Sequence, residues 1–292
     1  MKFYLPFVLA GASLLAGCKG INNEASEKLD ENDKQIQAYI ASNNLAPTKS
    51  PSGLYYQLKN TIPTARAPKE AELVSYTRVI SQLNNKVVGD TTNKIFKGYF
   101  GYTTGPLAVH EGLSYMKEGE SSVLLSPYSI AFGMDAIKDT LGNVLLPAYA
   151  PVRFDLKLIK TRNESEQIQD YIAENKLQVT GSTTDNLNYI RLKEGTGSTI
   201  AAGKAVVVKY VGKLVTGAVF DKSDSFSFTV GVTSLVSGFT QGVQKMKVGE
   251  KAIIIFPSAL GYGVNGRRDG YGQYVIYPSV PLIFELEVLS AN

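Results

Sequence analysis

The segment Gln35-Ile36-Gln37-Ala38-Tyr39-Ile40-Ala41 returns 132 residues later as Gln167-Ile168-Gln169-Asp170-Tyr171-Ile172-Ala173, and this repeat is what most limits the folds open to the chain. Each copy is followed by a short strand pattern, Leu54 to Lys59 in the first and Leu187 to Lys193 in the second. Further on, Met116-Lys117-Glu118-Gly119-Glu120 matches Met246-Lys247-Val248-Gly249-Glu250, and Pro127 to Gly133 matches Pro257 to Gly263, now 130 residues apart. A drifting offset is what small loop insertions leave in a duplicated domain. Two domains, 33–160 and 161–292, suit a chain of 292 residues, and 44% apolar residues give each a core.

Each repeat opens on one apolar helical stripe, Ile36, Tyr39, Ile40 or Ile168, Tyr171, Ile172, suited to packing or spacing. Asn163, three residues before Glu166, predicts a capping box for the second helix. In the second repeat Val206, Val208 and Tyr210 alternate with Val207, Lys209 and Val211, and Leu282, Phe284, Leu286 and Val288 alternate with Ile283, Glu285 and Glu287. Both are strands by their period of two, and Lys251 to Phe256 is a third by its β-branched run. Val236, Phe239, Val243 and Met246 share one face of a short helix that Gly249 can end. The expected fold class is α+β: in each domain a curved antiparallel sheet wrapped on one short helix, with a short amphipathic helix before it.

Whole classes of chemistry are excluded early. The net charge of +4 with no dense Lys/Arg stripe argues against nucleic acid as a partner. One cysteine, Cys18, and one histidine, His110, permit neither an intramolecular disulfide nor a multi-histidine metal site. His110 is expected to be exposed or capping rather than catalytic.

Residues 1–17 carry Lys2, an apolar run from Phe3 to Leu15 and a small-residue end, the composition of a secretory signal too short to stay as a membrane span. Its end, Leu15-Ala16-Gly17-Cys18, resembles the lipobox of bacterial lipoproteins. That resemblance implies a lipid-modified Cys18 as the mature first residue and attachment to a membrane through several acyl chains. The polar residues 18–32 read as a flexible tether. No aspartate follows Cys18, which by resemblance to the enterobacterial sorting rule implies the outer membrane, facing the periplasm.

The second repeat carries a longer resemblance. Val208 to Asp221 reads Val-x-Tyr-x-Gly-x-Leu-x-x-Gly-x-x-Phe-Asp, and after it come Val236-Ser237-Gly238-Phe239, Met246 to Glu250, Pro257 to Gly263 and Pro281-Leu282-Ile283-Phe284. In this order, over residues 186–290, the segment resembles the FKBP-type peptidyl-prolyl isomerases. The resemblance implies that Tyr210, Phe220, Asp221, Tyr262 and Phe284 serve catalysis, and that Phe226, Leu235, Val236, Phe239 and Ile276 bind substrate. Phe239 stands where many members have tryptophan, and the segment from Asp221 to Phe226 resembles a shortened loop. Tyr262 hydroxyl and the Val236 amide are expected to hold substrate carbonyls, Phe220 and Phe284 to grip the prolyl ring, and Asp221 to orient Tyr210. Such a site needs no nucleophile, metal or cofactor, and its partners are proline-containing polypeptides. The Gly263 to Val275 segment, with Arg267, Arg268, Tyr271 and Tyr274, is a surface loop or a client contact.

Aligned by the same phrase, the first repeat keeps Tyr76, Asp90, Leu146 and Phe154 but not the pocket. Gly89 falls at Phe220, Phe132 at Tyr262, Val109 at Phe239 and Gly105-Pro106 at Leu235-Val236, where proline has no amide to donate. Phe96 or Phe100 is placed to refill the gap. The expectation is the same fold with little isomerase activity, used for spacing, dimer contact or holding unfolded chains. The competing reading of the whole chain is a non-catalytic binding or chaperone lipoprotein; the sequence leaves the oligomeric state open.

Overall fold

The computed structural model describes residues 19–292 apart from 89–92 and 103–104, with side chains from residue 24 onward. Cys18, Gly89 and Asp90 lie outside the described residues.

The first half runs α1 (Lys19–Ser42), β1 (Thr48–Lys49), β2 (Tyr55–Leu58), β3 (Leu73–Gln82), β4 (Ile95–Tyr99), α2 (Leu107–Ser114), β5 (Ser121–Ser126), β6 (Ile137–Lys138), β7 (Val144–Leu146) and β8 (Val152–Arg162). The second runs α3 (Glu164–Glu174), β9 (Gly181–Ser182), β10 (Asn188–Lys193), β11 (Ala205–Leu214), β12 (Val219–Thr229), α4 (Ser237–Gln244), β13 (Lys251–Phe256), β14 (Arg267–Arg268), β15 (Tyr274–Ile276) and β16 (Leu282–Ala291). The α+β expectation holds in both halves. One antiparallel sheet has the order β1-β2-β5-β8-β3-β4, the other β9-β10-β13-β16-β11-β12, so the two repeats share a topology strand for strand.

Inside each sheet's curve lies one helix. Phe239 and Val243 of α4, with Met246 just beyond it, pack on Val208, Ile254 and Phe284; Val109 and Leu113 of α2, with Met116, pack on Leu124 and Phe154. Helix and sheet approach so closely that a Cβ on Gly242 would stand 2.5 Å from the Ile254 side chain. The predicted helical face is correct but its end is not. α4 stops at Gln244, and Gly249 (φ +77°) lies in the next turn, where Glu250 accepts from the Lys247 amide at 3.0 Å.

Residues expected to be a flexible tether are helical, a correction to the reading of 18–32. α1 is 24 residues long, with Lys28 paired to Glu31 at 2.8 Å. Lysine, glutamate and alanine favour helix even without an apolar stripe. Asn32, only 1% exposed, pins it: its amide donates to the Tyr149 carbonyl at 2.9 Å and accepts from the Tyr128 amide at 2.9 Å. Ile36 and Tyr39 pack on Tyr55, Val123 and Leu125. α3 does the same for the second sheet through Ile168, and Asn163 and Glu166 form the predicted capping box.

α3 also ties the halves together. Glu166 meets Arg66 at 2.6 Å, Asp170 meets Lys160 at 2.6 Å and Arg162 at 3.0 Å, and Glu174 meets Lys97 at 3.2 Å. On the other side Tyr99 and Tyr102 pack, tilted, against Tyr277 at 5.4 and 5.5 Å between ring centres.

Strand register corrects one alignment. Phe154 lies opposite Leu124 and Phe284 opposite Ile254, so these phenylalanines correspond. Counting from them, Arg78 opposite Leu156 corresponds to Tyr210 opposite Leu286, and Ile80 opposite Phe154 to Gly212 opposite Phe284. Tyr76 therefore holds the place of Val208, not of Tyr210. Ser81 opposite Val87 likewise matches Lys213 opposite Val219, which puts Val88, not Gly89, where Phe220 stands.

Candidate functional site

The second domain holds a cavity of about 530 Å³ at the mouth of its sheet, lined by Tyr210, Phe220, Asp221, Phe226, Leu235, Val236, Phe239, Tyr262 and Phe284, together with Ser234, Ser237 and Gly261. Its walls come from four places: β11 and β12, the segment entering α4, the turn after β13, and β16. A larger concavity, about 670 Å³, lies between α1 and the Pro147–Pro151 segment, but its lining is rich in amides and lacks an aromatic cluster.

The aromatic rings form one connected box. Tyr210 meets Phe226 edge-on at 5.8 Å and Phe239 at 5.6 Å; Phe239 meets Phe284 at 5.1 Å; Phe220 meets Phe284 at 5.5 Å, nearly perpendicular. Edge-to-face contacts of this kind hold the rings in place beyond the gain from burial. Phe239 is 4% exposed and makes the floor, while Phe220 and Phe226 are half-buried and make the rim.

Room for Phe220 is made by Gly212. A Cβ there would lie 2.7 Å from the Phe220 ring and 3.0 Å from the Phe284 ring. Nothing but hydrogen fits between them.

The polar groups lie on one side. Tyr210 hydroxyl donates to Asp221 Oδ2 at 3.0 Å, the orientation expected from the sequence. Burial, then this bond to a carboxylate, pushes the Tyr210 hydroxyl up to about 12, so it is a neutral donor across the ordinary pH range. The Val236 amide, at the N-terminal cap of α4, has no acceptor among the described residues. Tyr262 lines the cavity with Arg267 6.0 Å from its ring centre.

Of the ten residues expected at the site, nine meet around this cavity. Ile276 does not: it is 1% exposed and packs into the core, because its strand β15 folds back on β14 and turns that side chain inward. Ser234, Ser237 and Gly261 complete the lining, and small residues at a cavity mouth carry no sequence signal that separates them from any loop. Two loop readings also change. Asp221 to Phe226 belongs to β12, with the register shifting between Val208 and Tyr210, so the shortened loop is a bulge in a strand. The Arg267 to Tyr274 stretch is a hairpin, Arg268 lying 3.6 Å from the Tyr274 ring centre.

The first domain lacks this box. Ile80 and Val88, both buried, occupy the space that Gly212 leaves open and Phe220 fills. Val109 replaces Phe239 on the floor, and Phe132 lies 6.0 Å from Phe154 without a hydroxyl. Phe96 packs on Tyr76 at 5.6 Å, and Phe100 lies 5.0 Å from His110. His110 is neither exposed nor capping. It is half-buried, its Nδ1 has no partner among the described residues, and burial pulls its pKa below the usual imidazole range.

No three His, Cys, Asp or Glu side chains converge in a way that would hold a metal, among the described residues. No helix among them is long and apolar enough to cross a membrane.

Residues 197–289 match the model of a family described as FKBP-type peptidyl-prolyl cis-trans isomerase. FK506-binding protein 1 of Dictyostelium discoideum is 36% identical over 103 residues, which are 34% of this chain and 92% of that protein. The FK506-binding protein of Neisseria meningitidis serogroup B is 37% identical over 102 residues, 34% of this chain and 89% of that protein. FK506-binding protein 4 of Dictyostelium discoideum is 39% identical over 106 residues, and there the match spans 36% of this chain but only 28% of the relative. About a third of this chain is therefore covered in each case, and the matched family segment lies in the half that holds the aromatic cavity.

Proposed function

Because this chain belongs to the FKBP-type peptidyl-prolyl cis-trans isomerase family, we propose that its second domain isomerises X-Pro bonds of extracytoplasmic polypeptides in the cavity floored by Phe239. The observation that carries this reading is the closed aromatic box from Phe220 to Tyr210, with its polar groups gathered at one edge.

Turning an X-Pro bond means losing amide resonance, against a barrier of roughly 18 to 20 kcal/mol. Water solvates the planar amide well and the twisted one less well, so an apolar pocket that admits the prolyl ring favours the twisted form. Phe220 and Phe284, in contact with each other, form one wall against which the prolyl ring packs. The unpaired Val236 amide and the Tyr262 hydroxyl take the flanking carbonyls. Asp221 acts through Tyr210, fixing its hydroxyl direction, and takes no proton from substrate.

Full-length protein is expected to speed isomerisation of a short proline peptide, followed by exchange NMR. Tyr262→Phe removes one substrate hydrogen bond, net about 1 kcal/mol, and lowers kcat/KM roughly fivefold. A wild-type chain no faster than buffer would end the enzymatic reading of domain two.

For domain one the non-catalytic alternative is favoured by Ile80 and Val88, which leave no slot for a prolyl ring. The proposed organisation is a signal at 1–17, a lipid-bearing Cys18, α1 as the connection, and two domains meeting near Asn163. The location proposed with it is the outer membrane, facing the periplasm; the Leu15 to Cys18 motif supports the lipid, and the absence of aspartate after Cys18 supports the membrane. In a bacterial host fed labelled palmitate, Cys18→Ser is expected to lose the label entirely; undiminished labelling would exclude Cys18 as the anchor.

A further inference from the structure

We propose that the cleft around Arg78 is a second binding site, which takes an extended polypeptide segment through an acidic side chain. It rests on the reading of this chain's substrates as polypeptides.

Arg78 holds in domain one the strand position that Tyr210 holds in domain two. Its neighbour corresponds as well: Phe96 lies opposite Tyr76 as Phe226 lies opposite Val208. Where Tyr210 meets Phe226 edge-on, the Arg78 guanidinium lies 4.3 Å from the Phe96 ring centre. The site has exchanged a neutral hydroxyl for a fixed cation on an aromatic face.

Beyond the Phe96 ring, that cation has no carboxylate partner among the described residues. Arg78 Nε is buried without a partner, and no described carboxylate lies within ion-pairing distance of Arg78, although Arg66, Arg153, Arg162 and Arg191 each have one. A guanidinium held this way is a planar fork for a carboxylate. The cleft in front of it has a volume of about 320 Å³; Arg78, Lys97 and Tyr102 line one side, Leu214, Thr216 and Tyr277 the other, and the lining contains no acidic residue. Charge and shape thus ask for an anion carried on an apolar body.

An extended polypeptide is the occupant because of β4. It is the last strand of its sheet, and Phe96 to Tyr99 run along the cleft. An edge strand offers unpaired backbone amides and carbonyls to a segment laid beside it, while a pocket for one side chain sets the preference. Domain one then holds a client by an acidic position while domain two works on a proline elsewhere in the same chain.

The test is fluorescence binding of short, proline-free peptides with a dansyl group and an amidated C-terminus, one with a central glutamate between valine and phenylalanine, the other with glutamine there. Full-length protein is expected to prefer the glutamate peptide about tenfold, in line with one charge-assisted hydrogen-bonded pair. Arg78→Gln is expected to abolish the preference and Arg78→Lys to keep part of it. Equal affinities in the wild type, or a preference that survives Arg78→Gln, would overturn the site. A glutamine peptide with a free C-terminus that binds in an Arg78-dependent way, in place of the glutamate peptide, would overturn the side-chain occupant. Isomerisation of a proline peptide, read on the same samples, is expected to be unchanged in Arg78→Gln, and a thermal unfolding profile like that of the wild type reports that its first domain is folded. Glutamate preference in a protein without isomerase activity would sink the catalytic reading and leave this site standing.

Discussion

Gly212→Ile is expected to lower isomerisation about a hundredfold, the order of loss that a misplaced contact group produces, while thermal unfolding moves little. The variant gives domain two the residue that domain one has at the same strand position. Even its Cβ would stand 2.7 Å from Phe220 and 3.0 Å from Phe284, so the Phe220 ring must leave the box. Gly212 pairs with Phe284 on β16 in unbroken register and lies outside the left-handed region, so isoleucine is compatible with that pairing; on the β12 side the register shifts between Gly212 and Lys213. Gly212→Ala is expected to fall between the two. A Gly212→Ile protein within twofold of wild type would mean that Phe220 is not a wall of the working site, and the proposal that domain one is non-catalytic would lose its structural ground.

The second large effect is on stability. Glu250 is 0% exposed; it accepts from the Tyr189 hydroxyl, from Arg191 Nε at 2.9 Å and from the Lys247 amide at 3.0 Å. Glu250→Ala strands a buried hydroxyl and unpairs a guanidinium, at a cost of about 3 kcal/mol. A drop in Tm of about 10 °C is expected by calorimetry. Burial works to raise the Glu250 carboxyl, but the bonds from Tyr189 and Arg191 outweigh it and hold the group below the ordinary glutamate range. The folded-state pKa is thus depressed, so this contribution is fully present above the unfolded value, about 4.3, and is lost as pH falls through the folded one. Glu250→Gln is expected to flatten that part of the stability profile below about pH 4.3. An unchanged acid limb would show that the carboxylate's charge is not what the clasp uses. Domain one repeats the clasp with Glu120, which accepts from the Ile62 and Lys117 amides, and this gives the recurring Met-Lys-x-Gly-Glu phrase its structural meaning.

Much of this was legible in the sequence because periodicity reports on faces. The strands around Tyr210 and Phe284, the α4 stripe through Phe239 and Val243, and the Asn163 capping box are all patterns of local spacing. The Tyr76 alignment failed for the same physical reason. A shift of two residues along a strand keeps every side chain on its face, so hydrophobic alternation cannot see it. Only the pairing of Arg78 with Leu156 shows which residue took Tyr210's place. Whether Ile276 meets cavity or core is decided by the β14–β15 hairpin, which no local spacing encodes. The α1 reading missed because the residue that pins the helix, Asn32, is polar and finds both partners about a hundred residues away in the chain.

That pinned helix changes what a lipid on Cys18 would do. The Tyr128 hydroxyl reaches the Ala25 carbonyl at 3.4 Å, so α1 is already seated on domain one within two turns of its start. From Lys19 to Ala25 the helix rises only about 9 Å. An anchored molecule would then stand close on the lipid surface with a preferred tilt, instead of sweeping a hemisphere on a slack line. Domain two, joined through α3, would present its cavity at a set height and bearing, and the bilayer would become part of what decides which passing chains can enter.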